Sequence, residues 1–176
     1  AMPSASVLGI CHDKFAWLEF ARETGVSCPA FAVAESLGEL KRVMDELGYP
    51  SVVRPVEAGK RIGKRKAISL YSGEDFDREL REWPKGLRRL LVQRRFVGER
   101  YNIYFGATRG RIVREITSFS VRTDRHDGSG QTIEGVTVDA IPLLSGELAR
   151  IVAAMDYTGV GCAQFLYDRA SGTCCF

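Results

Sequence analysis

The sequence lacks long apolar runs and cysteine pairs at metal-binding spacing. No apolar stretch approaches the roughly 18 residues that a membrane-spanning helix needs. The five cysteines are an odd number without a CxxC pair, which favours reduced, mostly buried thiols over a disulfide framework or a zinc site. The first residues also lack the basic and apolar regions of a signal peptide. We therefore expect a cytoplasmic protein with no membrane partner.

Length and composition indicate one ordinary globular domain. A chain of 176 residues is long enough to bury about two thirds of the surface that it exposes when unfolded. Hydrophobic residues make up 45% of the chain and charged residues 27%, which is the balance of a folded protein. The net charge of +3 permits nucleic-acid binding but does not require it.

Apolar periodicity and capping residues predict a mixture of helices and strands. Helices are predicted at 12–25, 36–48, 73–83 and 145–157, and strands at 30–33, 51–54, 67–71, 90–93, 101–105, 112–119, 136–141, 160–167 and from 173 onward. The strands on either side of Gly110 are predicted to form a hairpin. The stretches 56–65 and 122–131 are polar, contain glycine and are short of apolar anchors, so we expect them to be mobile. Because helices and strands do not strictly alternate, the pattern favours an α+β fold.

One predicted hairpin carries far more positive charge than the rest of the chain. Residues 54–66 contain six cations and one anion, a local charge of +5 against +3 for the whole chain. The cations are Arg54, Lys60, Arg61, Lys64, Arg65 and Lys66, and the anion is Glu57. Gly59 and Gly63 allow backbone N–H groups to approach a ligand, and Arg54 ends an apolar strand where a charge needs a partner. The pattern favours a phosphate-binding loop, with a solvated turn that binds nothing as the alternative.

The common phosphate-binding motifs do not explain this hairpin. The P-loop sequence GxxxxGK[ST] is absent, and the segment leads into a strand rather than a helix. The dinucleotide-binding fingerprint GxGxxG is absent as well. Protein kinases also place a glycine loop between antiparallel strands, but the HRD and DFG stretches of kinases are missing.

Four segments, in order along the chain, resemble the ATP-grasp superfamily and particularly its carbamoyl-phosphate-synthetase-like branch. They are HDKFAWLEFARETGVSCP at 12–29, LGYPSVVRPVEAGKRIG at 47–63, LLVQRRFVGERYNIYF at 90–105 and YTGVGCAQFLYDRASG at 157–172. The resemblance spans nearly the whole chain and implies an α+β fold in which two α+β subdomains enclose a nucleotide cleft. It implies one ATP-grasp domain over 1–176, with a smaller lid part at about 12–88 and a larger, C-terminally truncated sheet part at about 89–176.

The resemblance implies an ATP-dependent ligase of carboxylate–amine or related type. In such enzymes ATP phosphorylates a carboxylate and a nucleophile attacks the acyl phosphate, so positioning and cationic screening carry the chemistry. The implied cofactors are ATP and Mg²⁺, and the implied partners are a small-molecule carboxylate and a nucleophile. A homodimer or partner domains of a longer chain would be compatible with this function.

Two other functions remain open. One is a nucleotide-binding or regulatory module without turnover. The other is a basic nucleic-acid-binding domain, which is disfavoured because aromatic residues do not interleave with the cations. No nucleic-acid partner is therefore expected.

The resemblance also assigns roles to single residues. Lys14 and Arg54 fall on phosphate-contacting cations, and Gly59 and Gly63 fall in the glycine loop, although AGKRIG has fewer glycines than usual. The adenine-binding linker matches Gln93 to Val97, with Arg95 where many members have glutamate. The ribose-binding acid matches Glu99, or Arg100 after a one-residue shift. Gln164 matches a metal-contacting position, and Arg122 matches a catalytic cation near the transferred phosphoryl group. An amide oxygen such as that of Gln164 is an acceptable magnesium ligand. Neither His12 nor His126 is expected to bind a metal.

In the superfamily, a Glu-x-Asn-x-Arg-like stretch after the last strand supplies the principal magnesium ligands. That stretch would follow Phe176, so we expect an acidic residue within about two positions of 177. The chain alone is accordingly expected to bind nucleotide weakly and to be inactive.

Overall fold

The computed structural model describes residues 2–57, 59–125 and 130–176. The chain forms two compact units. Unit 1 comprises Ala1–Gly9, Phe20–Cys28 and Val97–Phe176, and unit 2 comprises Ile10–Glu19 and Pro29–Phe96. No helix among the described residues is long and apolar enough to cross a bilayer.

Five helices and nine strands occur in the described residues. The helices are α1 (Ala5–His12), α2 (Lys14–Thr24), α3 (Leu37–Leu47), α4 (Gly73–Glu79) and α5 (Pro142–Ala154). The strands are β1 (Phe31–Ala34), β2 (Ser51–Pro55), β3 (Ile68–Leu70), β4 (Leu90–Arg94), β5 (Glu99–Thr108), β6 (Arg111–Thr123), β7 (Thr132–Val138), β8 (Gly159–Asp168) and β9 (Thr173–Cys175). The combination of helices with two antiparallel sheets confirms the predicted α+β class.

Unit 2 is built on a four-stranded antiparallel sheet in the order β1-β4-β2-β3. Helix α3 begins at Ser36, whose hydroxyl accepts a hydrogen bond from the N–H of Glu39, and it ends at Gly48 with a φ of 71°. Its buried face, including Leu40 and Met44, joins one hydrophobic cluster with the sheet. Each fully buried side chain of this kind contributes roughly 1.5–3 kcal/mol relative to an exposed one.

Unit 1 is built on a five-stranded antiparallel sheet in the order β7-β6-β5-β8-β9. Side chains alternate along the central strand β5, as the pleat requires. Tyr101 and Ile103 are fully buried on one face, whereas Tyr104 on the other face is 52% exposed. The pairing sets Asn102 directly opposite Ser118 on β6 and Gln164 on β8. Polar side chains from three strands therefore meet on the face opposite the core.

The helix predicted at 12–25 is divided at Asp13. The Asp13 carboxylate accepts hydrogen bonds from the N–H groups of Phe15 and Ala16 at 2.8 and 2.9 Å, so it caps the start of α2. The preceding helix α1 was not predicted. Helix α5 begins at Pro142 rather than at 145, because proline is well accommodated in a first helical turn.

Two further expectations need correction. The stretch 122–131 is not loop throughout, since β6 continues to Thr123, and residues 126–129, including His126, lie outside the described part of the chain. The five cysteines are free thiols, as predicted, but only Cys174 and Cys175 are buried. Cys11 and Cys162 are exposed and Cys28 is half-buried, so the thiols are not mostly buried.

Candidate functional site

Three cations that are distant in the sequence come together in unit 2. Lys14 begins α2, Arg54 lies in β2, and Lys66 precedes β3. Partial burial of the Lys14 ammonium, followed by the charges of Arg54 and then Lys66, lowers the pKa of Lys14. We call these three residues the cation cluster. The lowered pKa means that the charged form of Lys14 is disfavoured in the free protein.

Arg54 is the most buried member of the cation cluster. Its side chain is half-buried, and its Nε is a buried donor without a hydrogen-bond partner among the described residues. Burial lowers the pKa of Arg54. A buried polar group without a partner costs about 1–3 kcal/mol, and more when it is charged. An anionic ligand would provide the missing acceptor and would offset the repulsion among the three cations.

The loop after Arg54 joins two antiparallel strands, β2 and β3, as predicted. Gly59 and Gly63 have φ values of 78° and 59°, which side chains with a Cβ rarely adopt. Ile62 and Arg65 exchange two backbone hydrogen bonds of 3.0 and 3.1 Å, and Ile62 is buried in the core of unit 2. The expectation that this loop is short of apolar anchors is therefore wrong, because Ile62 anchors the middle of the loop in the hydrophobic core.

The remaining cations of the hairpin have different surroundings. Arg65 forms an ion pair with Glu79 of α4, and Arg61 donates to the Lys64 carbonyl at 3.1 Å. The side chains of Lys60, Arg61 and Lys64 are exposed. Among the cations of the hairpin, only Arg54 is therefore half-buried, and the others, including Lys66, are exposed.

The predicted adenine linker, Gln93 to Val97, begins within β4, since Gln93 and Arg94 are the last two residues of that strand. Arg94 donates to the carbonyls of Leu47 and Tyr49 at 2.9 and 2.7 Å, so this side chain caps the end of α3. The Arg95 guanidinium lies over the ring of Tyr71, 5.4 Å from its centre. The Arg95 backbone N–H donates to the Pro50 carbonyl, and the Val97 side chain is 64% exposed. Tyr71, which sequence reasoning placed only in a strand, is therefore a partner of this linker.

In unit 1, Gln164 belongs to a hydrogen-bonded row that crosses four strands. Its Nε2 donates to Asn102 Oδ1 at 3.0 Å, and Asn102 Nδ2 donates to Ser120 Oγ at 3.2 Å. The hydroxyls of Ser120 and Thr132 share a hydrogen bond of 2.7 Å. Because the row uses Nε2 of Gln164, the amide carbonyl Oε1 is the atom left to face a cation. Sequence reasoning identified Gln164 but missed the other three members.

A complete magnesium site is not formed by the described residues. They contain no group of three or more His, Cys, Asp or Glu side chains that could hold a metal ion. Gln164 supplies one amide oxygen, whereas Mg²⁺ takes six oxygen ligands in nearly octahedral geometry, usually including carboxylates or phosphates. The side chains present therefore do not by themselves fit this ion.

Glu99 and Arg122 lie on neighbouring strands of unit 1. Glu99 Oε2 accepts from the Tyr101 hydroxyl at 2.9 Å and from Arg169 Nε at 2.6 Å, and these two hydrogen bonds lower the pKa of Glu99. Arg122 pairs with Glu134 at 3.2 Å, and both side chains are more than half exposed. Glu99 is accordingly held as an anion, while Arg122 forms a solvent-exposed ion pair, which contributes little to stability.

No protein-family model matches the chain. A D-alanine–D-alanine ligase from a Thermoanaerobacter species is 25% identical over 181 residues, which cover 93% of this chain and 49% of that protein. The carbamoyl phosphate synthase large chain of Thermotoga neapolitana is 32% identical over 73 residues, which cover 42% of this chain and 6% of that protein. The chain thus spans about half the length of the ligase and a small part of the synthase.

Solved structures match nearly the whole chain. The phosphoribosylamine–glycine ligase of Thermotoga maritima has a TM-score of 0.74 at 15% identity, with 99% of this chain and 48% of that chain covered. A carboxyaminoimidazole ribonucleotide synthase of Aspergillus clavatus, solved with ATP, has a TM-score of 0.73 at 19% identity and covers 99% of this chain and 45% of that chain. The chain has the ATP-grasp fold.

The ATP-grasp resemblance drawn from the four sequence segments is confirmed by these matches. Its carbamoyl-phosphate-synthetase-like character agrees with the sequence match to a synthase large chain. Within the ATP-grasp fold, the cation cluster and the glycine loop belong to unit 2, and the Gln164 row belongs to unit 1.

Proposed function

We propose that the chain is the ATP-binding part of an ATP-dependent ligase that activates a carboxylate as an acyl phosphate. The observation that carries this proposal is the cation cluster of unit 2, with its partly buried Arg54. Such a cluster needs a multiply charged anion, and the triphosphate of ATP has the required charge. The relatives that share the fold are ligases and synthases by name, and one of them was solved with ATP.

The geometry of unit 2 supports the proposed phosphate contacts. Arg54 offers a planar guanidinium suited to two parallel hydrogen bonds with phosphate oxygens, and Lys14 adds a point charge beside it. Backbone N–H groups near Gly59 and Gly63 would complete the cradle. These groups would neutralise charge that moves between oxygens during phosphoryl transfer, which is the main task of a phosphoryl-transfer site.

The other roles are part of the same proposal. The backbone of Gln93 to Val97 would bind the adenine edge, with Arg95 fixed by Tyr71, and Glu99 would accept from ribose hydroxyls. Arg122 would stand near the transferred phosphoryl group. The part of the chain at about 12–88 would act as the nucleotide lid, and substrates would be a small carboxylate and a nucleophile in the cytoplasm.

A nucleotide-binding module without turnover is a second candidate. The observation that favours it is the absence of a carboxylate group fit for magnesium among the described residues. Gln164 would then contribute a single amide oxygen to a bound Mg–nucleotide. Both candidates require ATP binding, so the first experiment tests what they share.

Thermal unfolding of the 176-residue chain with Mg-ATP, Mg-GTP or neither measures this binding. We expect millimolar Mg-ATP to raise the midpoint temperature more than Mg-GTP does, because a ligand that binds only the folded state stabilises it. A nucleic-acid-binding protein would instead bind an oligonucleotide with an affinity that falls steeply with salt. A well-folded sample that Mg-ATP does not stabilise would contradict the proposal.

A further inference from the structure

The outer edge of the unit 1 sheet is an exposed strand, β7. No strand among the described residues pairs with the side of β7 that faces away from β6. The opposite edge of the sheet is partly covered, since the N–H of Phe176, just after β9, donates to the Ser27 carbonyl at 3.1 Å. An unpaired edge presents backbone N–H and C=O groups that another strand can bind. Strand β7 can therefore accept a further strand.

The edge at β7 lacks the features that usually protect a sheet edge from pairing. The strand has seven residues, whereas the edge strands of unit 2, β1 and β3, have four and three. Its sequence, TIEGVTV, contains neither lysine nor proline, and five of the seven residues are β-branched. Ile133 and Val136 are 53% and 48% exposed. The edge is thus long, largely apolar and open to solvent.

The single charge of β7 is neutralised within its own sheet. Glu134 forms an ion pair with Arg122 of β6 at 3.2 Å, so the two formal charges cancel. Like charges that face each other across two strands destabilise their pairing. Because identical strands bring the same charges into one interface, this neutralisation favours pairing between two copies of β7.

A second copy of β7 matches this edge in an antiparallel register. Two antiparallel copies overlap over all seven residues only when Gly135, the central residue, lies opposite Gly135 of the second copy. Glu134 then lies opposite Val136, and Ile133 lies opposite Thr137. No two carboxylates meet, and β-branched side chains pair with each other, which is a favourable cross-strand combination.

The residues that flank β7 are complementary in the same register. Gln131 and Asp139 are both exposed and would lie opposite each other at each end of the paired strands. The Gln131 side-chain amide can donate a hydrogen bond to the Asp139 carboxylate. A two-fold dimer requires such self-complementarity, because the same surface serves both copies. The pattern therefore favours a second copy of this chain over an unrelated strand.

We propose that two copies of the chain associate through β7, with the two strands antiparallel and Gly135 at the two-fold axis. The two five-stranded sheets would then form one continuous sheet. The strand contains none of the residues to which a role in nucleotide or magnesium binding was given. The proposal therefore goes beyond the nucleotide function and stands whether or not ATP binds.

Sedimentation velocity of the 176-residue chain without nucleotide tests the proposal. We expect the mass to rise from 19.5 kDa towards twice that value as the protein concentration increases from micromolar to millimolar. Hydrogen exchange should show amide protection at 132–138 that increases over the same range. A chain that remains monomeric at every concentration contradicts the proposal, whether or not the edge binds a different polypeptide.

Two substitutions at Val136 test the register. Val136→Glu places a carboxylate opposite Glu134 of the second copy, twice by symmetry, and should weaken dimerisation by about tenfold or more. Val136→Lys removes the same apolar side chain but sets a cation opposite Glu134, so it should weaken dimerisation much less. Val160→Glu is the matched control, because Val160 is an 83% exposed valine on β8 of the same sheet. This control should leave dimerisation unchanged.

The three variants also define the results that would overturn the proposal. Circular dichroism establishes first that each variant is folded. An unchanged dimer in Val136→Glu, equal weakening by glutamate and lysine at 136, or dissociation by Val160→Glu would each show that β7 does not pair in this register. The mass and exchange measurements on the unmodified chain decide whether β7 associates even if a variant does not fold.

Discussion

Arg54 lies close enough to Lys14 for its positive charge to be the second cause, after burial, of the lowered pKa of Lys14. The two side chains come from different elements, β2 and α2, of the same unit. Like charges placed together without an anion raise the free energy of the empty protein. Such an arrangement is common where binding or catalysis is gained at the expense of stability.

Replacing Arg54 with methionine should stabilise the free protein while weakening ATP binding. Methionine keeps an apolar stem but removes the buried Nε and the like charge beside Lys14, so the free energy of unfolding should rise by about 1–3 kcal/mol. The loss of charge-assisted phosphate contacts should cost about 1.5–3 kcal/mol of binding free energy. Urea unfolding and calorimetry with Mg-ATP measure the two effects.

Arg61→Met is the matched control, since Arg61 is exposed on the same loop. It should change both quantities by less than about 0.5 kcal/mol. A less stable Arg54→Met protein with unchanged affinity for ATP would show that Arg54 has a purely structural role.

The pH dependence of the free energy of unfolding should reveal how much the charge of Lys14, placed beside Arg54 and partly desolvated, destabilises the folded protein. Its folded pKa lies below the ordinary lysine value of 10.5, so the unfolded state binds more protons between the two pKa values, and the free energy of unfolding rises with pH in that window. Lys14→Met removes this cost. The variant should therefore be more stable than the unmodified protein near neutral pH, and the difference should shrink as the pH approaches 10.5.

Urea unfolding of both proteins between neutral pH and about pH 10 measures this difference, and other titrating groups cancel because both proteins contain them. Lys60→Met serves as the comparison for an exposed lysine of unit 2. A difference that grows with pH would mean that the folded protein favours the charged form of Lys14.

The glycine loop should respond to alanine through backbone strain alone. Gly63 has a φ of 59°, and among the described residues no heavy atom beyond its two chain neighbours lies within 4 Å of where its Cβ would be. Gly63→Ala should therefore lower the free energy of unfolding by about 1–2 kcal/mol, and Gly63→Asn by less, because asparagine tolerates this conformation better.

Gly38 provides a control of opposite sign in the same unit. It lies in α3 with open space around it, so Gly38→Ala should raise the free energy of unfolding by about 0.5–1 kcal/mol. Denaturant unfolding of the three variants is sufficient. Equal effects of Gly63→Ala and Gly38→Ala would show that the conformation of the loop is not what requires glycine.

Local patterns predicted many of the elements because their signals lie within a few residues. Ser36 and Gly48 bound α3 as capping rules require, and Gly110 closes the β5–β6 hairpin. The break at Asp13 was missed because the apolar periodicity of α2 continues through it in the sequence, while the cap depends on one side chain. Propensity alone does not reveal such a competition between cap and helix.

The partners of the candidate residues could not be predicted in the same way. The hydrogen bond between Gln164 and Asn102, like the meeting of Lys14 with Arg54, joins residues from distant parts of the chain. These contacts depend on which strands pair and in which register. One sequence carries no direct record of that pairing, whereas the resemblance to a family could indicate Gln164 and Arg54 individually.

The register that sets Asn102 opposite Gln164 and Ser118 also determines where the chain can change in length. One residue inserted within β5 before Asn102 would exchange the faces of the side chains on one side of the insertion. Asn102 would then leave its hydrogen-bond partners Gln164 and Ser120, or Tyr101 would leave the core. An insertion in the turn at Arg109 and Gly110 would leave this pairing as it is. This sheet can therefore accept an inserted residue in the turn at Arg109 and Gly110 but not within β5.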